Sequence, residues 1–360
     1  MTLQRYPSDT LVEFSKKTLT GMGVSSKTAL DVSTHLVEAN LTGHDSHGVG
    51  LLPAYLDHID GSQVDIAAHP RVIHETSVLL QMSGERAWGA PAGQDFVSRL
   101  IGKASETGLA AGTLGDVHHL GRIGAYADTV SDAGLISLHF VNVTDHAPLV
   151  APFRGSDARF GTNPICIGFP PTPHRPAFLL DMATSWIALG KARVAANAGK
   201  RVPFGAILDS DGRPTDDPSG MSGFELNGAL APLGRHKGYG LAFACEFLAG
   251  LLSRSGTIQP DKARQDGILN SIFSIVLDPA AFGDVDWMQT EMDAMAAYAL
   301  ASPPMDWDSP VLYPGDPERA LKGKRLREGI PLDPATVDQL NTAAGKANSP
   351  VRLETGPEGH

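Results

Sequence analysis

The sequence predicts an α/β fold that opens with a helical segment. Three observations carry this. The first sixty residues place apolar side chains at helical spacing. Residues 109–143 read as strand, loop, helix, strand, the repeating unit of α/β proteins. A chain of 360 residues, 42% hydrophobic and 19% charged, can bury a sizeable core. Its 39 Gly and 26 Pro follow no period, which excludes collagen-like and solenoid architectures.

In order along the chain, Leu11, Phe14 and Leu19 approximate one face of a first helix. A second helix starts near Ser25 and Ser26 and carries Leu30, Thr34, Val37 and Leu41; a third segment, 50–59, carries Leu52, Tyr55, Leu56 and Ile59. From Arg71 the period changes, and RVIHETSVLLQMSGER reads as two short strands around a turn. Residues 90–106 form an amphipathic helix. The strand–loop–helix–strand unit then divides into strand 109–114, loop 115–122, helix 123–133 and strand 135–143. Further strands are expected at 165–169, 177–181 and 271–277, and helices at 185–198, 237–253 and 287–301. In the 237–253 helix, Leu241, Cys245, Leu248 and Leu252 line one side and are expected in the core. After Ser302 the chain is Pro-rich and charged and reads as a long ordered excursion over the surface. A last helix at 334–346 precedes a polar tail. No internal repeat or composition break marks a domain boundary.

Charge and composition exclude several classes of function. Lys and Arg number 29 against 40 Asp and Glu, a formal charge of −11, and no dense basic run exists, so nucleic acid is not an expected partner. No apolar stretch reaches the ~18–20 residues of a membrane span. The opening MTLQRYPSDT has no apolar core of a signal peptide. Cys166 and Cys245 sit in apolar runs and read as buried free thiols. These features together point to the cytoplasm.

Five stretches could carry chemistry. In GHDSHG at 43–48, His44 and His47 stand three apart beside an acid and a hydroxyl. That spacing suits a divalent metal given a third ligand, or a Ser46–His47 pair in which the hydroxyl readies the imidazole for proton transfer. It also suits a plain capped turn, with Asp45 or Ser46 capping and Gly48 ending it. In GDVHHLGRIG at 115–124, a loop between strand and helix offers free N–H groups and a positive helix end, suited to phosphate. The spacing is not that of the dinucleotide fingerprint. His118 and His119 lie where α/β enzymes place active groups, though each alone reads equally as an ordinary loop histidine. Arg159, Thr162 and Asn163 in ARFGTNP offer a carboxylate fork and neutral donors, or simply a turn before a strand. LLDMATS at 179–185 places Asp181 at a strand end, and Thr184 and Ser185 also read as a helix cap. In GRHKGYG at 234–240, cations at a helix start oppose its dipole and call for an anionic partner. No nucleophile elbow, zinc-protease or P-loop motif occurs.

Taken together and in order, these stretches resemble the malate/L-lactate dehydrogenase family of the second, non-Rossmann type: GHDSHG at 43–48, HHLGRIG at 118–124, VAPF and ARFGTNP within 150–164, LLDMATS at 179–185, GKARVA at 190–195 and HKGYGLA at 236–242. HHLGRIGAYAD, SLHFVNV and LYPGDPER are most similar to its hydroxycarboxylate dehydrogenase B branch. The resemblance implies a three-layer α/β/α arrangement around a mixed sheet, the sulfolactate-dehydrogenase-like fold. Residues 1–70 would form an N-terminal helical segment packing with the C-terminal part. Residues 71–285 would form the cofactor-binding core, and 286–360 the C-terminal helices and an extended surface segment. It implies an NAD(P)-dependent oxidoreductase, with NAD favoured and NADP possible, acting as a homodimer on a small-molecule 2-hydroxy or 2-oxo acid, with larger side chains favoured. His119 matches the family's proton acceptor. His47, with Ser46, matches the pair given a proton-donor role in imine-reducing members, and its position also touches the cofactor in the nearest branch. Gly121, Arg122, Ile123, Leu179, Leu180, Asp181, Met182, Ala183, His236, Asn270, Tyr313, Pro314, Gly315 and Asp316 match that branch's NAD contacts, and Lys237 a cofactor-contacting lysine elsewhere in the family.

One position departs from the pattern. Many relatives carry an Arg five residues after the serine to grip the substrate carboxylate; here Leu51 stands there. Loss of that charge-assisted fork moves the clamp elsewhere or admits a more apolar substrate. Arg159 and His44 are the nearest replacements among the motifs. The residues suit hydride transfer, with an imidazole taking the hydroxyl proton as the cofactor takes the hydride from C2. This requires His47 and His119 to meet a nicotinamide ring in one cleft, with a crevice between them wide enough for a pyridine. Three rivals remain: a reductase of cyclic imines, a metal-dependent hydrolase or lyase using His44, His47, His118 and His119, and a binder of dinucleotide without catalysis.

Overall fold

The computed structural model describes residues 3–197, 199–222, 225–260 and 267–354. Ala198, the last residue of the expected 185–198 helix, and the final six of the polar tail lie outside them. The described elements run β1 (Gln4–Tyr6), α1 (Ser8–Gly21), α2 (Ser26–Leu41), α3 (Leu52–Asp60), β2 (Arg71–Glu75), β3 (Leu79–Ser83), α4 (Gly89–Thr107), β4 (Leu109–His118), α5 (Gly124–Asp132), β5 (Ile136–Thr144), β6 (Ile165–Phe169), β7 (Phe178–Met182) and α6 (Leu189–Asn197). Five two-residue strands follow, β8 (Ile207–Leu208), β9 (Pro214–Thr215), β10 (Met221–Ser222), β11 (Glu225–Leu226) and β12 (Ala229–Leu230). Then come α7 (His236–Cys245), β13 (Leu269–Leu277), α8 (Val285–Leu300), α9 (Asp316–Glu328), β14 (Ile330–Leu332) and α10 (Pro334–Lys346).

The central sheet has seven strands in the order β2-β3-β4-β13-β5-β6-β7. β3 and β4 are parallel; every other pair is antiparallel. The β4–α5–β5 unit therefore does connect parallel strands, but β13 is inserted between them from 150 residues downstream. This insertion decides where function can sit. Alternation of direction brings the carboxyl ends of β4, β5 and β7 to one edge, together with the starts of β6 and β13.

Two cores hold this arrangement. Leu80, Phe96, Leu100, Leu114, Tyr126, Val141 and Ile272 pack α4 and α5 onto one face of the sheet. Leu11, Leu36, Leu52, Leu56, Ile330 and Leu340 join α1–α3 to β14 and α10, so the two ends of the chain close on each other. β1 pairs with β14, a strand that local sequence did not reveal because its partner lies over three hundred residues away.

Three expectations are corrected. β4 runs on to His118, so the first half of the expected 115–122 loop is strand. The α7 stripe is largely outside the core: of Leu241, Cys245, Leu248 and Leu252 only Cys245 is buried, and Leu252 is 50% exposed. The helix widens into π turns at Glu246–Leu251, which shifts its register. Its buried face is instead Ala242, Cys245, Glu246, Ala249 and Gly250, leaving Phe243, Phe247 and Leu251 exposed. Finally, part of the surface excursion after Ser302 is helix α9. It lacks an apolar stripe, but Pro317 near its start, Asp316 and Glu318 in the first turn and Arg325 and Arg327 in the last are helix-end signals.

Candidate active site

The site grows from a turn and a strand end. Between α2 and α3 the chain makes a tight 3-10 turn, Asp45–His47. Asn40 holds it from both sides: its amide donates to Asp45 Oδ1 at 2.7 Å and its oxygen accepts the Val49 N–H at 2.8 Å. Gly48 sits so close to the Asn40 side chain that a Cβ there would collide with it. Arg325 of α9 grips both Asp45 oxygens, at 2.6 and 2.9 Å. Asp45 is therefore structural and does not cap the turn, which has no side-chain cap. The turn projects His47, with Ser46 Oγ 3.1 Å from its Nδ1, and His44, whose Nε2 lies 3.8 Å from Glu318.

His119 follows the last residue of β4, and the backbone just after it is held by three bonds. Asn270 of β13 accepts the Leu120 N–H at 2.8 Å, Tyr126 donates to the Leu120 carbonyl at 2.6 Å, and His35 of α2 accepts the Arg122 N–H at 3.1 Å. Gly121, at φ +69°, turns the chain where a side chain would strike the His35 ring. The result brings His119 onto His47: the rings stack with centroids 5.5 Å apart and planes 17° from parallel. Tyr55 of α3 sits 2.8 Å from His119 Nδ1. The imidazoles thus meet, but no gap lies between them. A ring inserted there would need about 7 Å, so a nicotinamide could meet only their shared edge.

Electrostatics keep both rings neutral. Burial, reinforced by His47 and His118, pushes His119 well below the ordinary imidazole value. Burial, with His44 beside it and Asp181 opposing, lowers His47 to about 4. Both remain partly accessible, as a reacting group must be. His118 points the other way, fully buried, with Nε2 2.8 Å from His58 Nδ1.

These features belong to a recognisable sequence pattern: the malate/L-lactate dehydrogenase profile matches residues 6–341. This chain belongs to that family. It is 39% identical to hydroxycarboxylate dehydrogenase B of Escherichia coli K12, over 96% of this chain and 95% of the relative. It is 38% identical to an L-lactate dehydrogenase of Cupriavidus necator, over 94% and 97%. Among solved structures, sulfolactate dehydrogenase of Methanocaldococcus jannaschii superposes with a TM-score of 0.82 at 27% identity, covering 96% and 98%. A Δ1-piperideine-2-carboxylate reductase of Pseudomonas syringae superposes at 0.80 with 26% identity, covering 95% and 100%. The mixed-sheet fold of the family is therefore the fold of this chain.

The other residues matched to the family pattern fall into three groups. Some gather beside the imidazoles. Asp181, at the end of β7, accepts the Gly124 N–H at 2.8 Å and lies 3.8 Å from Arg122 Nε. Its carboxylate thereby occupies the α5 N-terminus, so the phosphate reading of the 115–124 stretch is not supported. Leu180, Met182 and Ala183 are half-buried along the same strand end, whereas Leu179 and Ile123 are buried in the sheet core. Pro314 accepts the Leu179 N–H at 3.3 Å, placing Tyr313, Pro314, Gly315 and Asp316 against β7. Asp316 is itself held by the Tyr313 N–H and Arg319. His236 and Lys237 lie exposed at the α7 start, and among the described residues no acid pairs with them.

A second group supports rather than faces the site. Asn270 is 3% exposed and committed to Leu120 and the Asn142 carbonyl. Asn163 is fully buried against Glu246 and Ala242, and the Thr162 carbonyl receives both donors of Thr184. The third group is not brought to the imidazoles. Arg159 is exposed, its fork closed on Asp157 at 3.1 and 2.5 Å. Leu51 is 6% exposed inside the helical core. Sequence reasoning missed His35, Tyr55 and Arg325 as site residues. Tyr55 was visible only as an apolar helix position, and the polar ends of all three are read only by partners far away in the chain.

Proposed function

We propose that this protein is an NAD-dependent oxidoreductase interconverting 2-hydroxy and 2-oxo acids, with an imidazole carrying the hydroxyl proton. The observation that carries the reading is the stacked His47–His119 pair, both neutral, at the carboxyl edge of the sheet. Family membership supports the reaction type.

The residues present fit a dinucleotide. The half-buried β7 end, Leu180–Ala183, adjoins α7 through the Leu233 N–H bonded to the Thr184 carbonyl. Arg235, His236 and Lys237 there have no acid partner among the described residues and suit a pyrophosphate. When bound, NAD accepts the hydride from C2. NADP is the alternative; the preference for NAD rests on the likeness to the hydroxycarboxylate dehydrogenase B branch.

His119 is the proposed proton acceptor. Tyr55 at Nδ1 leaves its Nε2 for the substrate. With the Tyr55 oxygen accepting from Nδ1–H, Nε2 carries the lone pair that takes the proton. A neutral imidazole suits the oxidative direction; reduction needs a protonated one and is favoured as pH falls. His47, with Ser46, is the second carrier. Because the rings touch, protonating one opposes protonating the other. The same Ser46–His47 pair supports the second reading, reduction of a cyclic imine bearing a 2-carboxylate. The metal-hydrolase reading has less support: among the described residues no three His, Cys, Asp or Glu side chains group to hold a metal, and His118 faces His58.

Two further readings accompany it. The buried thiols Cys166 and Cys245 fit a reducing cytoplasm, and no described helix is long and apolar enough to cross a membrane. A homodimer would cover α8, which buries only Ala296 while Trp287 and Tyr298 stand 62% and 79% exposed, and Trp307, beyond the helix, is 92% exposed. Light scattering should return twice the chain mass. The deciding assay follows NADH absorbance with glyoxylate, pyruvate, phenylpyruvate, oxaloacetate and a cyclic imine, with and without EDTA. EDTA-resistant turnover of a 2-oxo acid is expected; absence of turnover with every compound sinks the reading.

A further inference from the structure

The 3-10 turn that presents His47 lies between His44 and Gly48 and has no side-chain cap of its own. Its order comes from outside. Arg325, 8% exposed in the last turn of α9, places Nη1 and Nη2 on the two Asp45 oxygens, and Nη1 also donates to the Asn40 carbonyl. Asn40 in turn ties Asp45 to Val49. One guanidinium thus joins the end of α2, the turn and a helix 280 residues downstream. A lysine could match its charge but not its planar fork. The turn has little freedom elsewhere, since Ser46 presses on Gly190 of α6 and His47 stacks on His119.

We propose that Arg325, acting through Asp45, is a positioning residue for His47, holding the turn so that the imidazole keeps its stack on His119. This rests on the dehydrogenase reading for its kinetic consequence but not for its structural one. The groups facing His47 are Ser46 and His44 of its own turn, His35 of α2, His119 after β4, Arg122 before α5 and Asp181 of β7. None of them replaces the fork.

The test uses Arg325→Lys, Asp45→Asn, the double variant, and Lys322→Met as a control on the same helix, where Lys322 pairs with the half-exposed Glu38. Turnover with a 2-oxo acid and the NMR titration of the His47 ring are both read in the full-length protein. Arg325→Lys should lower kcat about 10–100-fold with substrate KM within about threefold, as expected when a reacting group is misplaced by about 1 Å. Its His47 titration should rise by about half a unit or more toward the ordinary value as water reaches the ring. The double variant should be no worse than the poorer single by more than about twofold, because the two residues act as one unit. Lys322→Met should leave both readouts unchanged. Should Arg325→Lys not fold, Asp45→Asn carries the test. Normal kcat and an unmoved His47 titration in the folded variants overturn the proposal, however far Tm falls. If the wild-type protein turns over no substrate, the dehydrogenase reading fails, while the His47 titration still decides the role of Arg325.

Discussion

Two imidazole pairs occupy one corner of this molecule and are built for different ends. His47 and His119 stack face to face, partly accessible, each with a hydroxyl at Nδ1 from Ser46 or Tyr55. His58 and His118 are buried and hydrogen-bonded to each other, and His118 is walled by Tyr55 and Trp88, its own Nδ1 having no partner among the described residues. His118 and His119 are sequence neighbours. A strand sends successive side chains to opposite faces, and β4 ends on His118. One histidine thus becomes core and the next faces the cleft. A pair of adjacent histidines is therefore not a pair in space, and the one that matters is identified by what it can reach.

The strongest way to break this comparison is to remove one member from each pair. His119→Ala should cut kcat by roughly 10²–10⁴, the span of lost acid–base catalysis. His118→Ala should leave kcat within about tenfold but destabilise the fold by roughly 2–4 kcal/mol, through a cavity and an unpaired His58. Equal kinetic losses in the two variants would erase the distinction, and steady-state kinetics beside chemical denaturation measures it.

Leu51 sharpens the contrast between core and cleft. Leu51→Arg installs the arginine that the family resemblance led one to expect but, in this chain, inserts a charge into the helical core. Stability should fall by about 3–5 kcal/mol with no gain in KM for short oxo acids. A lower KM with unchanged stability would instead show that position 51 faces substrate.

The titrations give a smaller, graded effect. His35 and His47 are held at about 4 and His139 at about 3, all lowered by burial. A lowered histidine binds fewer protons folded than unfolded, so stability rises with pH through that window. It should be flat above pH ~6.5 and fall as pH drops toward 4, by at most about 1.4 kcal/mol per pH unit for each buried group. Urea midpoints across this range check it. The oxidative kcat/KM should stay level as pH falls through ~6.5 rather than fall with an ordinary imidazole, because burial holds His119 well below that value.

The smallest effect belongs to Arg159→Ala. Its guanidinium is 63% exposed and bound to Asp157, so KM for a 2-oxo acid should change less than about threefold. A much larger rise would restore Arg159 as the carboxylate clamp.

Much of this architecture was legible locally. Periodicity located α4, α5, α8 and α10 within a residue or two, since each presents a cap, a stripe or a stop to its neighbours in sequence. GHDSHG and HHLGRIG stood out because glycines and ionisable groups rarely crowd together without a reason. Helix α9 was not legible by apolar pattern, being polar all round, and it was the element that carried Arg325. The π turns after α7 inverted the expected core stripe, because no residue-level signal marks an extra backbone atom ring.

What the amino-acid order settled alone was the inventory: two histidine motifs, a strand–helix–strand unit, an acidic chain with no apolar stretch as long as a membrane span. Tertiary structure decided which members of that inventory meet. β13 wedged between β4 and β5 carries Asn270 to the His119 loop, and α9 carries Arg325 to the His47 turn. Local spacing encodes which way a side chain leaves its own helix or strand. Contacts between residues hundreds of positions apart depend on sheet order and burial, which are properties of the whole chain's packing and have no local signature.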